Sequence, residues 1–169
     1  MSDDWRSRAR KLSKGHLFED FSLGQVFQHH WGRTLNEGDN TLFSTLTLSY
    51  NPLYFNEPYA RAHGHPTSPV NPMLVFATVF GLSVEDLSEA GGLFLGVDDL
   101  MFHRTVYPGQ TLTARSTVRD IRESQSRPNA GIVTWHTEGF LAGGDDSPLV
   151  VDFRRSNLVP KRGGAGASE

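Results

Sequence analysis

The stretch Asn71-Pro72-Met73-Leu74-Val75-Phe76-Ala77-Thr78-Val79-Phe80-Gly81-Leu82 decides how this chain folds. Met73, Leu74, Phe76, Ala77, Val79, Phe80 and Leu82 are apolar on nearly every side of a 3.6-residue turn, so residues 73–87 read as a helix with little polar surface. A helix of that kind is expected inside a core. Asn71 suits an N-cap and Pro72 the first helical position, where no N–H is needed. Just upstream, His63-Gly64-His65-Pro66-Thr67-Ser68-Pro69-Val70-Asn71-Pro72 holds three prolines and a glycine in ten residues. That composition predicts a rigid, irregular loop leading into the helix.

Residues 93–107, 111–122, 131–141 and 148–158, all rich in Val, Thr, Phe and Leu, follow the helix and read as four strands. Pro108-Gly109, Ser126-Arg127-Pro128-Asn129 and Gly143-Gly144-Asp145-Asp146 are the turns between them. Partial alternation in 111–118 and 132–137 suits an antiparallel sheet with one covered face. Before the helix, residues 26–34 read as a single first strand. Asn36-Glu37-Gly38-Asp39 then forms a turn, with Asp39 placed to cap a short helix over 40–48 on the spacing of Leu42, Phe43 and Leu46. Pro58 to His63 predicts one further helical turn, closed by Gly64. One strand, a helical excursion with a single buried helix, and then an antiparallel meander imply an α+β domain whose curved sheet wraps that helix. This is the hot-dog pattern. Its sheet leaves edges that dimerisation covers, so a homodimer or higher homo-oligomer is expected.

At 169 residues and 37% hydrophobic content, the chain has the size of one domain with a real core, expected over 16–162 with flexible tails at 1–15 and 163–169. The absence of cysteine removes disulfides, thiolate metal sites and thiol nucleophiles, leaving His, Asp, Glu, Ser, Tyr and backbone groups to do any chemistry. The formal charge is -3, and the basic residues are scattered apart from Arg6-Ser7-Arg8-Ala9-Arg10-Lys11, which argues against a nucleic-acid face. No apolar run approaches the roughly 20 residues of a membrane span, and the N-terminal stretch lacks an apolar secretory core, so a soluble cytoplasmic protein is expected. His29 and His30 are adjacent in a predicted strand and face opposite sides, so at most one can enter a cleft. With no third ligand at a suggestive spacing, neither a metal nor any other cofactor is expected.

The chemistry centres on Leu48-Ser49-Tyr50-Asn51-Pro52-Leu53-Tyr54. This run resembles the Gly-Asp-x-Asn-Pro-Leu-His signature of the MaoC-like hydratases, which include the (R)-specific enoyl-CoA hydratases. Ser49 stands where that family has its Asp and Tyr54 where it has its His. The resemblance extends from Asp39 and Phe43, matching an Asp-x-x-x-Phe opening, through His63-Gly64-His65-Pro66 and Asn71-Pro72-Met73 before the long helix, to the Tyr107-Pro108-Gly109-Gln110-Thr111-Leu112 turn. Asn36 to Ser44 and Asp152-Phe153-Arg154-Arg155 look most like the branch acting on mesaconyl-, itaconyl- and methylmalyl-CoA. The resemblance implies a hydratase or dehydratase of a short branched, dicarboxyl enoyl-CoA. A hot-dog thioesterase and a non-catalytic acyl-CoA binder or partner subunit are the alternatives.

Hydration of a conjugated thioester needs a base on the water, an acid at the α-carbon and donors on the carbonyl, but no metal. With the family's acid and base missing at Ser49 and Tyr54, His63 and His65 are the candidates for proton transfer, set against a reading as loop histidines bonded to backbone or solvent. Asp39 is a weaker candidate, because capping its helix accounts for it. Tyr54, with an ordinary pKa near 10, suits hydrogen-bond donation to a carbonyl or carboxylate better than base chemistry. Ser49 is expected to hold a hydrogen bond, Asn51 to fix the local turn and Asn71 to cap the helix near the thioester. Arg104, Arg154 or Arg155 is a candidate to fork onto a free carboxylate, against a reading as solvated surface charge.

Overall fold

The computed structural model describes residues 15–143 and 147–163. The tail segments 1–14 and 164–169, the basic run from Arg6 to Lys11, and most of the turn from Gly143 to Asp146 lie outside the described residues. Six antiparallel strands form one sheet in the order β1-β4-β5-β6-β3, with β2 also pairing β4. The strands are β1 Val26–Gln28, β2 Arg33–Thr34, β3 Leu93–Phe102, β4 Thr111–Glu123, β5 Ala130–Leu141 and β6 Leu149–Pro160. The predicted strand over 26–34 is thus two strands. Gln28 pairs with Arg115 and Arg33 with Leu112, five residues against three, so two residues bulge out between them. Likewise β3 stops at Phe102, short of the predicted 107, and residues 103–107 leave the sheet as a loop.

Helix α1, Glu37–Leu46, starts earlier than the sequence predicts, and Asn36 caps it rather than Asp39. Asn36 Oδ1 accepts the Asp39 N–H at 2.9 Å while Asp39 Oδ2 accepts the Asn36 N–H at 3.0 Å, a reciprocal capping box with Asp39 at its third position. Helix α2, Glu57–Ala62, is capped by Asn56 and carries Pro58 in its first turn. The long helix is also shorter than predicted: α3 spans Pro72–Leu82, and α4, Val84–Leu87, follows after a break at Ser83. Ser83 donates its hydroxyl to the Phe80 carbonyl at 2.7 Å, a local bond that competes with continuing the helix.

Val75 and Val79 bury themselves in the concave face of the sheet against Leu112, Ala114, Val151 and Phe153. The helix seats directly on β5, because a Cβ at Gly139 would stand 2.5 Å from a Val79 methyl. A second cluster, built on Trp135, Phe21, Leu87, Val118 and Val159, fills the other end of the sheet. The expectation that α3 is enclosed holds for one side only. Met73 is 47% exposed and Ala77 is open, because a single sheet covers only one face of a helix that is apolar all round. Strand β3 is an edge of the sheet, and Leu93, Phe94, Leu95 and Met101 on it are about half exposed. No helix among the described residues is long and apolar enough to cross a membrane.

Candidate functional site

Three segments meet where α1 ends and α3 begins, and two buried asparagines join them. Asn40, on α1, accepts the Asn71 N–H on its Oδ1 at 2.8 Å and donates its amide to the carbonyls of Tyr54 at 2.8 Å and Pro69 at 2.9 Å. Asn71 caps α3 by accepting the Met73 N–H at 2.9 Å, and its amide donates to Ser49 Oγ at 3.0 Å. The sequence reading passed over Asn40, whose signal was a polar residue on the inward side of α1. Asn40→Leu would leave a buried N–H and two carbonyls unpaired, at roughly 1–3 kcal/mol each before relaxation. Its midpoint in urea unfolding is expected to fall by the equivalent of about 3 kcal/mol.

Ser49 and Asn71 therefore hold each other, and Asn51 fixes the one-turn helix Pro52–Tyr54 by accepting the Leu53 N–H at 3.1 Å. Leu48, where the family signature has glycine, sits at φ 56°, in the left-handed region that a leucine occupies at a cost of about 1 kcal/mol. Beside this turn lies a cavity of about 290 Å³ lined by Leu53, Tyr54, His65, Val75, His103 and Arg104, among others. His65 Nδ1 is 3.0 Å from the Tyr107 hydroxyl, which leaves Nε2 for the cavity. The Tyr54 hydroxyl and the Arg104 guanidinium have no hydrogen-bond partner among the described residues.

Tyr54, His65 and Arg104 come together; His63 and Asp39 do not join them. His63 closes α2, with its Nδ1 bonded to the Tyr59 carbonyl at 2.8 Å and its ring stacked on Tyr59 at 4.0 Å. That matches the loop-histidine reading. Asp39 is spent on its capping box and on an ion pair with Arg33 at 2.8 Å, beside a different depression that also holds Trp31 and Leu74. His29 does not enter the cleft either: it is buried, 2.6 Å from Asp86 and 2.8 Å from Ser116 Oγ, and burial, only partly offset by Asp86, lowers its pKa. His30 is exposed, 3.7 Å from Glu85.

A second constellation lies on the outer face of the sheet, where Asp152, between the inward-packed Val151 and Phe153, points away from α3, and the sequence reading missed most of it. His103 Nε2 lies 2.6 Å from one oxygen of Asp152, and His136 Nε2 lies 2.7 Å from the other. Burial, the largest single influence, pushes the Asp152 carboxyl up, but the hydrogen bonds from His136 and His103 together outweigh it and hold the carboxyl below the ordinary carboxylate range. These residues come from β6, β5 and the loop after β3. Only the antiparallel register, which sets Glu138 opposite Asp152 and Met101 opposite Asp152, brings them together.

A six-stranded antiparallel sheet wrapped on one helix, with an Asn-Pro-Leu turn and a cavity at the helix start, defines a MaoC-like hot-dog domain. Consistent with this, a conserved protein of Mycobacterium tuberculosis with a double hot-dog fold superposes with a TM-score of 0.76 at 27% identity, over 87% of this chain and 44% of that one. The family model for mesaconyl-CoA hydratase matches residues 3–168, and the chain belongs to that family. It is 41% identical over 160 residues to the mesaconyl-CoA hydratase of Haloarcula hispanica, covering 95% of this chain and 44% of the relative. The crystal structure of a MaoC domain dehydratase from Chloroflexus aurantiacus superposes with a TM-score of 0.83 at 34% identity, over 93% of this chain and 44% of that one. The chain spans about half the length of these relatives.

Proposed function

We propose that the protein adds water to, or removes it from, a short branched dicarboxyl enoyl-CoA such as mesaconyl- or itaconyl-CoA. One observation carries the reading: a single cavity at the Asn-Pro-Leu turn gathers a proton-transfer group, His65, a phenolic donor, Tyr54, and a guanidinium, Arg104. Arg104 suits the free carboxylate of a dicarboxyl substrate, because its planar fork matches a carboxylate with two parallel bonds. Tyr54 donates to the thioester carbonyl as negative charge develops there. His65 transfers the proton that the family assigns to the side chains missing at Ser49 and Tyr54. Ser49, Asn51 and Asn71, predicted to bind substrate, do not line the cavity; they hold the turn and the helix start that carry its wall.

The site is completed by a second hot-dog unit, which we infer to be another copy of this chain. The open side of α3 and the apolar edge β3 are the surfaces that such a unit covers. A relative of about twice the length with a double hot-dog fold supports this arrangement. CoA thioesters are kept inside cells, in agreement with the cytoplasmic location that the sequence leads us to expect.

Incubation with mesaconyl-, itaconyl- and crotonyl-CoA tests the reading, following the absorbance of the conjugated thioester and free CoA in parallel. Absorbance is expected to fall with mesaconyl- or itaconyl-CoA while CoA stays bound as thioester. Loss of absorbance accompanied by equal CoA release would make the protein a thioesterase. Flat traces for all three would make it an acyl-CoA binder or a partner subunit.

A further inference from the structure

We propose that the His103–Asp152–His136 cluster, on the face of the sheet away from α3, sets the position of Arg104 at the cavity, which makes His103 and Asp152 positioning residues for recognition of a substrate carboxylate. The inference rests on the dicarboxyl reading above and says what fixes the guanidinium that the reading relies on. Residues 102–106 form one wall of the cavity, and Arg104 is exposed within that wall. This wall grows out of a weakly held part of the sheet. β3 is an edge strand, with a neighbour on one side only, and its pairing with β6 breaks between Asp98 and Met101, where Asp99 sits at φ 55°. Beyond the break, two register pairs remain, Met101 with Asp152 and Phe102 with Val151, before the chain leaves the sheet.

The backbone turns at His103. Its N–H and that of Arg104 both reach the Val150 carbonyl, at 2.7 and 3.3 Å, whereas successive N–H groups of an extended strand point to opposite sides. At this turn the His103 ring reaches outward, and its Nε2 donates to one oxygen of Asp152 at 2.6 Å. His136 holds the other oxygen at 2.7 Å, so the carboxylate is gripped from β5 as well and cannot swing away with the loop. Arg154, which shares the outer depression with Asp152, pairs with Asp99 at 3.2 Å instead of competing for that carboxylate. At the far end of the wall, the Val106 carbonyl accepts the Val70 N–H at 2.8 Å, just ahead of α3. The wall is therefore tied at 103 and at 106, with Arg104 between the two ties. Binding a carboxylate through an arginine on a free loop would require ordering both loop and side chain; a loop already fixed leaves only the side chain to order. The two histidine bonds keep Asp152 ionised at neutral pH, so the tie is charge-assisted where the protein works.

Titration calorimetry of the full chain with methylsuccinyl-CoA and butyryl-CoA tests this without relying on turnover. The first is the saturated counterpart of mesaconyl-CoA, and the second has no free carboxylate. Arg104→Leu is expected to weaken methylsuccinyl-CoA binding about 30-fold, the size of one bond to a charged group. His103→Leu is expected to weaken it about tenfold through the cost of ordering the loop, with butyryl-CoA within about twofold of wild type. The double variant should bind methylsuccinyl-CoA no more weakly than Arg104→Leu alone, because His103 acts through Arg104. His103→Gln, which keeps a donor towards Asp152, should recover most of the affinity. Asp152→Asn, near-isosteric and so able to fold, can accept from only one ring and should lose about threefold for methylsuccinyl-CoA alone. Equal losses for both thioesters, or losses that multiply in the double variant, overturn the proposal. So does His103→Leu at full affinity, and a wild type that still prefers methylsuccinyl-CoA then leaves the dicarboxyl reading standing. A wild type that binds the two thioesters equally overturns both.

Discussion

His65→Gln is expected to lower kcat for mesaconyl-CoA hydration by about 10³-fold with little change in KM, the size of effect that a positioned acid or base supplies. Glutamine keeps roughly the length and the hydrogen-bonding capacity of the imidazole, so the loop from Gly64 to Pro72 and its contact with Tyr107 have reason to survive. It has no group that changes protonation near neutral pH, so the proton step is what disappears. Tyr107→Phe removes the hydroxyl 3.0 Å from Nδ1 and should give a smaller loss, about tenfold, because it frees the tautomer without removing the ring. His63→Ala is the matched comparison. Its imidazole is exposed, bonded to its own helix and stacked on Tyr59, so turnover within twofold of wild type is expected. Equal losses at His63 and His65 would mean that the loop, and not the cavity-facing ring, is what the reaction needs.

That contrast marks what the sequence can and cannot disclose. His63 and His65 look equivalent in the chain, flanking one glycine ahead of one helix. What separates them is the Ala62–His63 end of α2, where the backbone N–H of His63 bonds to Tyr59 and Ala60 and the ring folds back on the same turn. Local periodicity showed that α3, the α1 region and the meander exist, because each buries a stripe or alternate positions against one surface. It misplaced their ends where a side chain intervened, as at Asn36, which caps α1 three residues before Asp39, and at Ser83, which breaks the helix predicted to reach 87. It also read α3 as enclosed, since apolarity on every face cannot say how many neighbours cover a helix. Asn51 and Asn71 were legible because the capping bonds they accept reach only two residues along the chain. Asn40 and Asp152 were not, because their partners lie 14 to 49 residues away and only the folded register supplies them. The departures at Ser49 and Tyr54 were visible at once, yet His65, the group proposed to take over the proton transfer, comes from another loop.

Arg155→Met is expected to stabilise the protein, by about 3 kcal/mol at neutral pH. The sequence offers Arg155 either as a solvated surface charge or as a carboxylate clamp; in the structure it is fully buried and lies outside the cavity. Its Nε, Nη1 and Nη2 have no hydrogen-bond partner among the described residues, and its guanidinium lies 4.6 Å from the Phe80 ring centre and 5.3 Å from that of Trp135. Burial draws its pKa down to about 10, a gap from its ordinary value worth roughly 3 kcal/mol against the folded state. Attraction to the two rings returns about 1–2 kcal/mol, but methionine keeps much of that contact through its thioether while shedding the desolvation cost. The sign of the pH dependence follows. Above about pH 10, up to the ordinary arginine range, the unfolded chain holds a proton on Arg155 that the folded chain has released, so the wild type gains stability as pH rises through that window, whereas below it the penalty is present in full. Urea unfolding of wild type and Arg155→Met at pH 7.5 should therefore show the variant ahead, and the same pair at pH 11 should show the lead shrinking. A variant less stable than wild type at pH 7.5 would mean that the ring contacts outweigh the buried charge, and a lead that does not shrink would mean that the advantage comes from packing alone.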